Sequence, residues 1–341
     1  MRSFAVLVLA GLLAALPASP ARAVDQVKTA NDSLLGTVKS VSPLAVVVEE
    51  RNGTSREVPV NEIKSISFDE EPAVLKTARA NIEAGRYEDG LSALADLNPA
   101  EISRREIVQD VEYYKAYSAA QLALVGGGNI AEAGRMLLGF VNAQNNSYHY
   151  LDAQMLFGDL AGAAGNPQAA QNAYKTVGQK APWPDYRARA AVALGQSYLS
   201  EEKYAEASNW FKVALNTPDT VPGIQACKLS ATLGEARCLA ASGKLDQAIE
   251  MVQNIIKQAD AEDSQLLAEA YNAMGASYRA GNRPKDALLA FLHVHLVYFN
   301  SPPNHIEALQ NLVDLWEEEK MPERAEEAAR VLRDRYKRSP R

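Results

Sequence analysis

Two cysteines, four histidines, three tryptophans and seven phenylalanines are all that these 341 residues hold of the side chains most used for metal, redox and stacking chemistry. The scarcity excludes much. Cys227 and Cys238 fall in what reads as one helix, which separates them by roughly 16 Å along its axis, whereas a disulfide needs Cα atoms within about 7 Å. Both read as small, free core residues. His293 and His295 are the one close histidine pair, and residues two apart on a helix point in nearly opposite directions, so they share no metal. His149, between two tyrosines at a helix start, and His305, after Pro302-Pro303, read as structural. Gly-x-Ser-x-Gly, His-Glu-x-x-His and Cys-x-x-Cys are all missing. The Gly126-Gly127-Gly128 run lacks the Lys-Ser/Thr of a phosphate loop and follows a helix. We therefore expect no catalytic residue, no metal ligand and no cofactor.

Long apolar runs are equally scarce. The run from Phe4 to Leu16 is shorter than the ~20 residues that span a bilayer. It follows Arg2 and leads through Pro17 and Pro20 to Ala21-Arg22-Ala23, which reads as a signal peptide over residues 1–23, cleaved after Ala23. Without a cysteine near that site, attachment through a lipidated N-terminal cysteine is excluded. The expectation is export, to a periplasm or outside the cell, with no membrane span. Basic residues are in deficit too: 35 Lys and Arg face 42 Asp and Glu, and removing Arg2 and Arg22 leaves 33 against 42, or −9. That balance argues against a nucleic-acid partner. The basic stretch from Arg333 to Arg341 follows a helix, whose C-terminal end favours cations.

What is present falls into two parts. Residues 24–70 are rich in Val, Ser and Thr, with apolar positions at Leu35, Val38 and Val41, Val46 and Val48, Val58 and Val60, and Ile66 and Phe68. Asn52-Gly53 signals a tight hairpin, while Pro43 and Asn61-Glu62 mark further turns. Four or five short strands in a strongly bent sheet follow, a layout similar to SH3-like or Sm-like small barrels. So small a module buries too little surface to stand alone. It is expected to dock on the first helices, with Asp69 to Pro72 as the joint.

From about Val74 onward a helical pattern repeats. Small residues open second helices at Ala133, Ala170, Ala207, Ala248, Ala287 and Ala325, 37 to 41 positions apart. About seven helical hairpins fit, with turns at Gly85-Arg86, Gly165-Asn166, Gly243-Lys244 and Lys320-Met321-Pro322. Gly85, Gly165, Gly243 and Gly281 are assigned the helix-stop role. The charged final helix suits a terminal cap.

The clearest copies read Leu194, Gly195, Tyr198, Ala207, Phe211, Ala214 and Pro218, then Tyr271, Gly275, Tyr278, Ala287 and Phe291. These resemble tetratricopeptide repeats over roughly residues 73–338. The resemblance implies a right-handed α-solenoid after the small β module, non-enzymatic, binding a partner protein or peptide on a concave face formed by the first helices. Carried over by register, that face presents Arg189, Gln196, Ser200, Arg237, Glu269, Asn272 and Arg279, with Glu307, Gln310, Asp314 and Glu318 at an acidic end. The rival reading is an accessory or carrier protein for a glycan or cell-wall polymer, which calls for exposed aromatic platforms. Trp183 and Trp210 are the candidates, and Trp183, between Pro182 and Pro184, is expected to be exposed.

Overall fold

The computed structural model describes residues 24–339; residues 1–23, expected from the sequence to be a signal peptide, lie outside them. Five strands come first: β1 (Asp25–Thr29), β2 (Ser33–Val41), β3 (Ala45–Glu50), β4 (Ser55–Pro59) and, after a 3₁₀ turn over Val60–Glu62, β5 (Ile63–Ser67). They form an antiparallel sheet in the order β4-β3-β2-β1-β5, bent by irregularities at Lys28/Thr29 and Val38/Ser40, and the edge strands β4 and β5 do not pair. Asn52-Gly53 makes the expected hairpin: Gly53 takes φ +81° and Asn52 Oδ1 accepts from the Thr54 N–H. One inward position differs from expectation. Leu34 is buried and Leu35 is 48% exposed. The inward phase of β2 runs Leu34, Gly36, Val38, and Gly36 hides it because any Cβ there would sit 2.3 Å from the Glu49 carbonyl oxygen.

Fourteen α-helices follow among the described residues, paired as seven hairpins. They are α1 (Ala73–Glu83) and α2 (Tyr87–Leu94); α3 (Arg105–Leu124) and α4 (Ile130–Ala143); α5 (Tyr150–Ala163) and α6 (Pro167–Lys180); α7 (Pro184–Ser200) and α8 (Tyr204–Leu215). The last three are α9 (Ile224–Ala241) and α10 (Leu245–Gln258); α11 (Ser264–Ala280) and α12 (Pro284–Leu296); and α13 (Pro302–Glu318) and α14 (Pro322–Tyr336). Proline opens α6, α7, α12, α13 and α14, where its missing N–H has no intrahelical partner to lose. Each helix packs on the next, and first helices also touch one another, α1 with α3, α3 with α5, and α7, α9, α11 and α13 in series. The six repeating alanines are all buried.

Glycine and aromatic residues set the spacing. A Cβ on Gly158 would meet the Tyr174 ring at 2.3 Å, one on Gly195 would meet Phe211 at 2.4 Å, and one on Gly275 would meet Phe291 at 2.7 Å. Gly234 of the next hairpin faces the same Phe211 ring, at 2.3 Å. Phe211 is thus clasped between two first helices, α7 and α9. Both cysteines lie on α9 and are free.

The sheet docks on the first hairpins through charge. Asp25 is 2% exposed; its carboxylate accepts from the Val38 and Asp69 N–H groups at 2.7 Å and from both terminal nitrogens of Arg104 at 2.7 and 2.8 Å. Burial alone would raise that carboxyl; the Arg104 guanidinium and the two amides outweigh it and hold it below the usual range. Beside it, buried Arg79 of α1 binds Glu71 through two nitrogens, at 3.2 and 3.0 Å, and Asp110 of α3 at 3.1 Å. Asp110 in turn accepts from the Tyr148 hydroxyl at 3.0 Å and lies 3.1 Å from His149 Nε2.

The far end returns on the row. A Cβ on Gly126, after α3, would lie 2.4 Å from Tyr336 Cα, and Arg338 Nη1 donates to the Ala163 carbonyl at the end of α5 at 2.7 Å. The seventh hairpin therefore touches the second and third. Gly126, the first of the three glycines that lack the rest of a phosphate loop, is the seat for that contact.

Candidate functional site

Among the described residues, apart from a cavity of about 560 Å³ between α13 and α14, two cavities open between successive first helices. The larger, about 540 Å³, lies between the Val60–Lys64 turn of the sheet, the end of α1, and α3, α5 and α7. The sheet closes over it as far as α7, where Asn61 Nδ2 reaches Asp185 Oδ1 at 3.5 Å. Tyr87, Tyr113, Tyr114, Tyr117 and Tyr148 line it, five of the chain's fourteen tyrosines. Their rings interlock: Tyr113 lies 5.6 Å from Tyr117 and 5.3 Å from Tyr114, and stacks on His149 at 3.7 Å. Desolvation pushes the Tyr113, Tyr114 and Tyr148 hydroxyls well above the ordinary phenol, so all are neutral donors near neutrality. Asp152, Asp159, Glu83, Lys64 and Arg189 supply the charge. Arg189 points between Asp152 Oδ1, 3.7 Å away, and the Tyr186 ring, 5.1 Å away. Asp159 accepts from the Tyr174 hydroxyl at 2.8 Å, and the crowding of the concavity raises its carboxyl above the usual value although solvent still reaches it.

The smaller cavity, about 210 Å³, is bounded by α7, α9, α11 and the start of α13 and includes Gln196, Arg237, Glu269 and Glu307. Arg237 Nη1 pairs with Glu307 Oε1 at 2.9 Å, and Glu269 accepts from the Ser230 hydroxyl at 2.9 Å.

The residues expected on the binding face are thus distributed. Arg189 belongs to the large cavity, and Gln196, Arg237 and Glu269 to the small one. Ser200 is the last residue of α7 and donates to the Ser197 carbonyl at 2.8 Å. Asn272 is 1% exposed; its amide donates to the Asn304 carbonyl at 2.9 Å and braces α11 against α13. Arg279 reaches Asn311, Asp314 and Glu318 at 3.1, 3.3 and 2.9 Å, so Asp314 takes part in the same brace. Gln310 is exposed on α13. Polar positions on α9, α11 and α13 therefore tie first helix to first helix as well as facing the cavity. Trp183, expected to be exposed, is half-buried against the core beside Tyr186, and Trp210 is half-buried too.

The tyrosine cavity went unread in the sequence. The signal was there: Tyr113, Tyr114 and Tyr117 on α3 and Tyr148-His149-Tyr150 at the start of α5 are unusual in a chain with 7% aromatics. One wall comes from the sheet turn, however, and nothing local ties Val60–Lys64 to α7.

No protein-family model and no curated protein matches this chain. Solved structures do. A tetratricopeptide repeat protein from Parabacteroides merdae aligns at 13% identity and TM-score 0.54, covering 77% of this chain and 91% of its own. The apo form of the quorum sensor NprR from B. thuringiensis aligns at 16% identity and TM-score 0.55, over 76% and 74% of the two chains. NprR in complex with its cognate peptide NprX aligns at 12% and 0.52, over 75% and 76%. The architecture here is that of a tetratricopeptide-repeat-like α-solenoid led by a small open antiparallel sheet.

Proposed function

We propose that this protein is an exported, non-enzymatic scaffold that holds a partner protein or peptide against its row of first helices. The observation that carries the reading is the large cavity, where the sheet turn and three first helices converge on tyrosine rings and unevenly paired charges. Such a surface offers side-chain pockets for an extended chain. The NprR structure holding its peptide supports the same use of the fold. Both candidate tryptophans are half-buried, which favours the peptide reading over the glycan one. The division into a module over 24–70 and a solenoid over 73–338, and the likeness of the first to SH3-like or Sm-like barrels, belong to this proposal. The strand order and the 3₁₀ turn before β5 support that likeness.

Arg189 and Arg237 mark the two cavities, so reversing both charges to Glu should cut partner recovery at least several-fold in affinity capture from the native source while leaving the circular dichroism spectrum unchanged. Full recovery by the folded double variant refutes the reading. N-terminal sequencing of the secreted or periplasmic protein tests export, with Val24 as the expected first residue.

A further inference from the structure

We propose that the tyrosine-walled cavity is a receptor for a basic side chain, Lys or Arg, of the captured peptide. The inference rests on the peptide-binding reading and names what that reading leaves open.

Two features converge. Aromatic faces attract cations through their electron-rich centres, and here Tyr87, Tyr113 and Tyr117 stand together, with Tyr87 edge-on to Tyr117 at 6.0 Å. Tyr113 is only 6% exposed, yet its hydroxyl has no hydrogen-bond partner among the described residues and borders the cavity. That hydroxyl is free to pair with a bound chain.

The charge is the second feature. Three carboxylates, Glu83, Asp152 and Asp159, face two cations, Lys64 and Arg189. Arg189 is already committed, to Asp152 and to the Tyr186 ring. It shows how this wall holds a guanidinium: one carboxylate beside it and one tyrosine beneath. Asp159 has the Tyr174 hydroxyl but no cation within salt-bridge distance among the described residues, and neither has Glu83. A basic side chain entering the cavity meets tyrosine rings together with two carboxylates that have no salt-bridge partner among the described residues. An acidic side chain meets two like charges, and an apolar one offers neither Asp159 nor Glu83 a counter-charge.

The test uses a positional-scanning peptide array probed with the purified protein and with its Asp159→Asn and Glu83→Gln variants. The expected result is selection of Arg or Lys at one position by the wild type, weakened about tenfold in at least one variant, with preferences at other positions retained. Selection that shows no basic preference, or the same preference in both variants, overturns this proposal while peptide capture stands. Retention of no peptide overturns both. Both carboxylates are exposed, and the Glu83→Gln variant decides the matter if Asp159→Asn does not fold.

Discussion

Gly195 and Gly234 close on one ring from opposite sides, and the geometry leaves no room for a methyl group on either. Replacing either with Ala drives a Cβ into Phe211, which is fully buried, so each change should cost about 1–3 kcal/mol, read as a lower urea midpoint at unchanged slope. His305 offers a different residue-scale test. It is 1% exposed on α13, with Nε2 lying 2.8 Å from His295 Nδ1 on α12 and Nδ1 lying 2.6 Å from the Tyr336 hydroxyl on α14. Burial, aided by His295 and Arg335, pushes its pKa down to about 4. The folded state then binds fewer protons than the unfolded between pH 6.5 and 4. Stability is fully present above that window and declines as pH falls through it, by about 3 kcal/mol for this residue. Denaturation at pH 7.5 and 4.5 should show the loss, and His305→Asn should flatten it. Residues of this kind differ in legibility. The small-and-aromatic pairs were readable because they recur in the sequence, whereas the burial of Asn272 depends on a carbonyl 32 positions away.

Turns tell the same story at the scale of elements. Gly85, Gly165 and Gly243 hold the left-handed conformation expected of helix stops. Gly281 does not: its φ is −82°, the positive φ passes to Asn282, and Gly281 is small because the Leu245 side chain presses against it at 2.4 Å. In the fourth and seventh hairpins Glu202 and Lys320 occupy that conformation with φ +60° and +59°. A side chain there strains the backbone where glycine would not. Glu202→Gly and Lys320→Gly should each raise stability by about 0.5 kcal/mol and Asn282→Gly by less, because asparagine tolerates the conformation; thermal midpoints would rank them. Hairpin number and helix order were legible because the apolar period persists through each helix. The inward phase of β2 was not, because a glycine occupies one of its three inward places.

The whole molecule is more connected than a row of nearest neighbours. Its sheet is fastened to α1 by the Arg79–Ser67 hydrogen bond, to the start of α3 by the Asp25–Arg104 ion pair, and reaches α7 through Asn61, while the segment after its last helix returns to the third hairpin. None of these long links shows in a repeat pattern, which records only what each hairpin does for the next. Gly126→Val tests the return contact, since it strains a φ of +85° by about 1 kcal/mol and drives a side chain into the Tyr336 backbone. Small-angle scattering should report a larger radius of gyration, with helix content unchanged by circular dichroism. Stacked arrays ordinarily fray from the terminal unit, which is supported from one side only. Arg338 gives α14 a second support some 175 positions back along the chain, so the array cannot unzip from that end without first letting go of its own middle.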